Sequence, residues 1–189
     1  MSGSNRKLAV AAAAAVALGV AAHGANASVA WGGSEYDVIT AEGIFWSDAK
    51  AAADAMGWHL ATVTSAAEDA FVSSLLPTSP ASRSHYWLGA SDAANEGAWQ
   101  WVTGEAWSYT NWWGGEPNNV GAEDYLGYDY RGGWAWNDAQ NDLQSTYAFV
   151  RGYVIERASS AAVPLPATLA LLGIGIAAAA GASRRKSSR

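Results

Sequence analysis

Hydrophobic and polar positions change period along this chain. Two long apolar runs bracket it, Leu8–Ala22 near the start and Ala167–Ala182 near the end, and the stretch between them is amphipathic. Tyr36–Thr40 sets Tyr, Val, Ile and Thr close together and predicts a strand. Ser47–Met56 is Ala-rich and predicts a helix, with Ser47 as N-cap and Gly57 placed to end it. A second helix is predicted over Ala66–Leu76. Ser65 and Glu68 have capping-box spacing, and Ala67, Ala70, Phe71 and Leu75 fall on one face. After Pro80 short aromatic runs alternate with Gly, Asn and Asp. Tyr86–Gly89, Trp99–Val102, Trp134–Trp136 and Tyr147–Ile155 each read as a strand. No regular repeat is visible. One strand, two helices and then several strands is an α+β order.

Between Val102 and Trp134 lie about thirty residues with little periodicity, a length that in a compact domain marks a functional or disordered loop. Trp107, Tyr109, Trp112, Trp113, Tyr125 and Tyr128 fall within it, which favours an ordered binding loop. Composition sharpens the picture. The chain has 189 residues, the length of about one domain. All 17 acidic residues lie between Glu35 and Glu156, and the stretch between the two ends holds only 5 basic residues, Lys50 to Arg157, a net charge of −12. Such a domain repels nucleic acid and suits cations. For most of these carboxylates a solubilising surface role is sufficient. There are no cysteines, which excludes disulfides, thiolate metal ligands and cysteine nucleophiles together. The 11 Trp all lie between Trp31 and Trp136 and suit both core filling and stacking on sugar faces.

The two ends read as addresses. Residues 1–27 form a signal peptide: Arg6 and Lys7 are the charged region, Leu8–Ala22 the apolar run, and Ala25-Asn26-Ala27 a small-x-small site for signal peptidase. The alternative for this run is a membrane anchor. The middle domain spans 34–156 and a linker 157–162 follows. Residues 163–189 begin Val163-Pro164-Leu165-Pro166, continue as the apolar run and end in Arg184-Arg185-Lys186. The stretch 165–182 is about long enough to cross a bilayer, with the basic tail held on the cytoplasmic side. This segment resembles the PEP-CTERM sorting signals of Gram-negative bacteria, in their Val-Pro-Leu-Pro-Ala form. The resemblance implies an exported protein, transiently anchored in the inner membrane, processed by an exosortase and released to the cell surface or extracellular matrix. It also implies an association with exopolysaccharide production. A plain C-terminal membrane anchor is the alternative.

Glu116, Asn118, Asn119, Glu123 and Asp124 fall within nine residues, and Asn137-Asp138 follow Trp136. All are hard oxygen donors with no Cys or His nearby. Oxygen-only coordination suits calcium and does not suit zinc or copper. Without an ion, carboxylates this close repel and buried amides go unsatisfied.

These residues also carry a second resemblance. Trp87-Leu88-Gly89 is similar to the Trp-Ile-Gly-Leu signature of C-type lectin-like domains. Glu116-Pro117-Asn118, Glu123-Asp124 and Trp136-Asn137-Asp138 match that family's further motifs in order. The resemblance implies a C-type lectin-like fold over about 34–156: two helices packed on small antiparallel sheets, with a long calcium-binding loop. It implies that Glu116, Asn118, Glu123, Asn137 and Asp138 hold a calcium ion, with the bond before Pro117 cis. Glu116, Asn118, Glu123 and Asn137 would also meet a sugar, each carboxylate accepting from a hydroxyl and each amide donating to it. Glu-Pro-Asn goes with mannose-type sugars in this family, so a glycan or exopolysaccharide containing them is the implied partner. Trp112, Trp113 or Trp134 would pack on a sugar face or, equally well, serve the core. A second calcium position would use Asp92, Glu96, Asn119, Glu123 and Asp124. The family's two disulfides have no counterpart here. Tyr125 stands where animal members commonly have Cys, and the stretch between Asn118 and Glu123 is slightly short.

The remaining candidates have plainer readings. His23 belongs to the signal peptide, His59 follows the first helix as a structural residue, and His85 is isolated. No nucleophile, base and orienting group stand together, and there is no phosphate-binding loop. Glu105 and Asp129 are the one pair of carboxylates to set against glycoside hydrolysis, and nothing in their spacing supports it. The expectation is a binding protein, not an enzyme. The rival is an adhesion or structural protein of the same fold, in which calcium stabilises the loop and no sugar is bound.

Overall fold

The computed structural model describes residues 28–142 and 149–159. The predicted signal peptide, residues 160–162 of the linker and the sorting segment lie outside the described residues. Among the described residues, two α-helices and eight strands follow one another, with a 3-10 turn at Tyr130–Gly132. The helices and strands are β1 (Val29–Trp31), β2 (Ser34–Thr40), α1 (Trp46–Ala55), β3 (His59–Leu60), α2 (Ala66–Ser74), β4 (Ser84–Ser91), β5 (Gln100–Trp101), β6 (Tyr125–Asp129), β7 (Ala135–Ala139) and β8 (Phe149–Ala158).

β1 folds back on β2 through Gly32 and Gly33, both at positive φ, where a side chain would be strained. β2 pairs antiparallel with β8 over its whole length, from Ser34 opposite Ala158 to Thr40 opposite Gly152, so one ladder joins the two ends of the domain. β8 then runs parallel to β4, and β4, β6 and β7 continue antiparallel. β3 attaches to β8 and β5 to β4. The strands form a single mixed sheet, where separate small antiparallel sheets were expected.

The period-two pattern of β4 explains the layering. Tyr86, Leu88 and Ala90 point into one core, and Trp87 points into the other. α1 covers the second face. Its small residues Ala49 and Ala53, one turn apart, bring the helix close to Ile39, Leu60, Trp87, Tyr153 and Ile155. α2 and the long loop cover the first face, where Val72 and Leu76 meet Tyr36, Leu88, Leu126, Tyr128, Trp136 and Val154.

Both helices correct the sequence reading. α1 begins at Trp46 with Phe45 at its N-cap and no side-chain cap of its own. Ser47 lies inside the helix. The free N–H groups of Trp46 and Ser47 are taken by the carbonyl and side-chain oxygen of Asn141, at 3.0 and 2.9 Å. α2 does start with Ser65, whose hydroxyl accepts from the Glu68 N–H at 3.2 Å. The Glu68 carboxylate does not return to Ser65, however, and takes the N–H and hydroxyl of Thr64 instead, at 2.7 and 2.9 Å. Ala67 and Ala70 are exposed, and Phe71 and Leu75 sit at the margin of the core. The buried face carries Glu68, Asp69, Val72 and Leu76. Two carboxylates go inside because the core offers them donors, including the Tyr36 hydroxyl at 2.6 Å from Glu68.

A further correction concerns the segment expected to be a loop from Val102 to Trp134. Tyr125–Asp129 is a strand covered on both sides, so its sequence shows no alternation. Gly127 is required there because a Cβ would run into the ring of buried His85. The irregular part of the loop is therefore 102–124.

Candidate functional site

The loop is built out from the sheet edge. Asn111 and Trp113 lie along β7: the Trp136 N–H donates to the Asn111 carbonyl at 2.7 Å, and the Trp113 N–H to the Trp136 carbonyl at 2.8 Å. The chain then turns through Gly114 and Gly115, and the Glu116 N–H closes the turn on the Trp113 carbonyl at 2.9 Å. The Glu116–Pro117 bond is cis. The Asn118 amide donates to the Glu116 carboxylate, which joins the two side chains that flank Pro117.

From there the loop is stitched back onto β7. Asp138 accepts the Asn118 N–H at 3.2 Å with one oxygen and the Asn119 N–H at 2.7 Å with the other. The Val120 N–H donates to Asn118 at 2.9 Å and to Glu123 at 3.0 Å, and the Glu123 N–H donates to the Asn119 side chain at 2.8 Å. Asn119 and Ala122 take positive φ to make this tight return. The short stretch between Asn118 and Glu123 thus closes on its own side chains.

Glu116, Asn118, Glu123 and Asp138 come together in this way. Asn137 is buried beside them in β7, its amide donating to the Asp138 carbonyl at 2.6 Å. The charges are in conflict. Glu116 is pushed up to about 7, first by burial, then by the Asp138 and Glu123 carboxylates. Glu123 is raised too, by burial and then by Asp138, while the Val120 N–H and Arg131 act in the opposite sense. A hard cation relieves this repulsion, and oxygen donors of this kind fit one.

A second acidic group adjoins the first. Carboxylate oxygens of Asp92, Glu96 and Asp124 lie within 4.8 Å of one another. One oxygen of Asp92 accepts the Gly97 N–H at 2.8 Å, and the other is buried without a partner. Asp92 is raised, chiefly by burial, then by Asp124 and Asp138 once the opposing Gly97 bond is counted. Asn119 faces Glu96, where its side chain opposes the burial and carboxylates that raise it, and so stands between the two groups. Glu123 lies in the first group, and its N–H hydrogen bond to the Asn119 side chain links that group to the second.

The aromatic candidates separate. Trp134 is buried and donates its indole N–H to the Pro77 carbonyl at 3.3 Å. Trp112 packs on the core rings of Trp99 and Trp136. Trp113 lies beside the Glu116 turn with the Arg131 guanidinium 5.2 Å from its ring centroid. That guanidinium in turn grips buried Asp129, with its closest contact at 2.5 Å. Glu105 bonds instead to the hydroxyls of Thr62 and Thr103. The two carboxylates weighed for hydrolysis therefore have different partners. Sequence reasoning missed Arg131 and Asp69, because one cation near a Gly pair and one acid in an amphipathic helix carry no signal of burial.

Residues 42–150 match the family model "Lectin C-type domain", and residues 162–186 match "PEP-CTERM protein-sorting motif". A perlucin-like protein of Mytilus galloprovincialis is 36% identical over 98 residues, which is 51% of this chain and 63% of that protein. The CD209 antigen of Homo sapiens is 39% identical over 101 residues, 52% of this chain and 24% of the antigen. The chain thus spans less than two thirds of each of these relatives. Among solved structures, the C-type lectin CEL-I from Cucumaria echinata superposes with a TM-score of 0.61 at 27% identity, covering 70% of this chain and 96% of its own. The mouse scavenger receptor C-type lectin carbohydrate-recognition domain gives 0.59 at 25% identity, covering 70% and 96%.

Proposed function

The chain belongs to the C-type lectin domain family, and on that premise we propose that it is a calcium-dependent carbohydrate-binding protein for mannose-type sugars, acting at the cell surface or in the extracellular matrix. The observation that supports this reading best is the pair of hydrogen bonds that Asp138 accepts from the Asn118 and Asn119 backbone N–H groups. It fixes the Glu-Pro-Asn segment against Asn137-Asp138 and leaves Glu116, Glu123 and Asp138 in mutual repulsion.

Glu116, Asn118, Glu123, Asn137 and Asp138 would hold the calcium ion, and Asp92, Glu96, Asn119 and Asp124 a second one. When bound, calcium supplies a Lewis-acid centre for neighbouring sugar hydroxyls. The residues supply direction. Ionised Glu116 and Glu123 only accept, so they take the hydroxyl hydrogens, while the Asn118 and Asn137 amides donate to the hydroxyl oxygens. The existing bond between Asn118 and Glu116 already holds one such pair in order. Trp113, held by Arg131, borders this group and is the aromatic residue available to a sugar ring. The mouse neighbour, a carbohydrate-recognition domain, agrees with this role. Nothing in the reading calls for turnover.

The sorting motif at 162–186 supports export, processing by an exosortase and display outside the cell, where an exopolysaccharide is the natural glycan. Among the described residues no helix is long and apolar enough to cross a membrane. The expected span at 165–182 lies outside them.

The test is a calorimetric melt of the purified protein in calcium and in chelator, followed by binding to immobilised mannose. A ligand specific for the folded state stabilises it by about 2.7 kcal/mol at one hundred times its dissociation constant, a shift of several degrees. The lectin reading expects that shift, calcium-dependent retention on mannose, and loss of both in the Asn137→Ala, Asp138→Ala double variant. A calcium shift without retention on any glycan would move the assignment to a calcium-stabilised adhesion domain.

A further inference from the structure

Asp69 lies in α2 and makes no hydrogen bond to the proposed calcium ligands, yet three donors from three other parts of the fold converge on its carboxylate. One oxygen accepts the Tyr128 hydroxyl at 2.7 Å and the Trp136 indole N–H at 2.9 Å. The other accepts the Asn111 amide at 2.7 Å. Asp69 is 6% exposed, and its helix packs directly under the long loop.

These partners are the roots of the two arms of the site. Trp136 precedes Asn137-Asp138 on β7. Asn111 begins the arm that runs through Trp113 to Glu116. The arms are already paired by backbone bonds between Asn111, Trp136 and Trp113. Asp69 adds side-chain bonds to both arms from beneath, so their separation is set by one rigid group. We infer that Asp69 is a positioning residue for the proposed sugar site, holding the Glu116–Asn118 arm in register with the Asn137–Asp138 arm through Asn111 and Trp136. The inference rests on the sugar-site reading for its functional meaning and on geometry for its substance. A carboxylate is needed at this position because all three groups donate. An amide would present its own N–H to at least one of them.

The test uses the full chain. Asn111→Ala removes the donor at a half-buried position and leaves Asp69 and the core intact. Amide exchange is then followed at Trp113, Asn118, Asn119 and Trp136, with β2 and β8 as the reference. Local loosening predicts exchange faster by about tenfold or more at the four site amides, with no change in the β2–β8 ladder. It also predicts calcium binding weakened by about fivefold or more. Asp69→Asn sets an amide against the Asn111 amide and should loosen the same four positions. The exchanged pair, Asp69→Asn with Asn111→Asp, restores a donor–acceptor match and should recover them. Uniform acceleration across the whole sheet, or none at the site, in Asn111→Ala would overturn the inference. So would a folded exchanged pair that stays loose. If wild-type protein binds no calcium the sugar-site reading fails, and the exchange rates still decide the role of Asp69.

Discussion

Glu116 holds its proton up to a pH of about 7 in the folded, metal-free chain, above its ordinary value of 4.5. Between those limits the folded state binds a proton that the unfolded state has released. Stability therefore falls as pH rises through that window. The melting temperature in chelator is expected to drop from pH 4.5 to 7, and Glu116→Gln should flatten the slope. Calcium must displace the same proton, so its affinity should rise with pH across the same range. Titrating calcium at pH 5.5 and 7.5 checks the sign: equal affinities would show that calcium displaces no proton from Glu116 over this range. Arg131 offers a second check. Its removal leaves the Asp129 carboxylate, which has no exposed surface, without its charged partner and with only the backbone N–H of position 131 donating to it. Unpairing a wholly buried ion costs about 3–5 kcal/mol. The guanidinium is partly exposed, so Arg131→Ala is expected to cost on the order of 2 kcal/mol. Urea unfolding with an unchanged m-value would measure it. The sequence displayed Glu116 and Asp138 because they sit in recognisable motifs. It concealed Asp129, Asp69 and His85 because burial of a polar group depends on partners far away in the chain.

At the scale of elements, the two helix starts contrast. α2 carries its own cap, and Ser65→Ala should cost about 1 kcal/mol. α1 borrows its cap from Asn141 in the connection after β7. Asn141→Ala removes only the side-chain part, and the expected result is fraying confined to the first turn of α1, seen as faster exchange at Ser47. Equal exchange in wild type and variant would show that the Asn141 carbonyl alone suffices. The Ser65 cap could be read from spacing, since the residues that satisfy the helix lie within one turn. The Asn141 cap could not, since it bridges 94 residues. β6 was hidden for a related reason. Strands announce themselves by alternation, and a strand buried on both faces has none. The missing disulfides find part of their replacement at this scale, where Asp69 ties α2 to β6, β7 and the loop.

For the whole molecule, charge is the governing term. The described residues carry a formal net of −12, 17 acidic against 5 basic. Self-repulsion on that scale weakens the calcium-free fold. Raising monovalent salt from 0.01 to 0.15 M shortens the screening length from about 30 to about 8 Å. The melt in chelator should therefore move up with salt. The melt in saturating calcium should move less, because bound cations have already neutralised the densest acidic region. A calcium-free melt that ignores salt would show that the charges are too dispersed to matter. The order of motifs made the fold legible from sequence, and the α+β expectation holds. The continuity of the sheet was not legible, because it depends on β8 pairing antiparallel with β2 on one edge and parallel with β4 on the other.

The ring cluster beside the site has an optical consequence. Trp101, Trp107 and Trp112 lie 5.7, 5.6 and 5.8 Å from Trp136 by ring centroid. Indoles this close share their excitation, and Trp136 is bonded through the chain to Asn137 and Asp138. A small movement of that strand end changes the coupling of several chromophores at once. The domain thus carries its own unlabelled reporter, and its near-ultraviolet circular dichroism should register occupancy of the site directly.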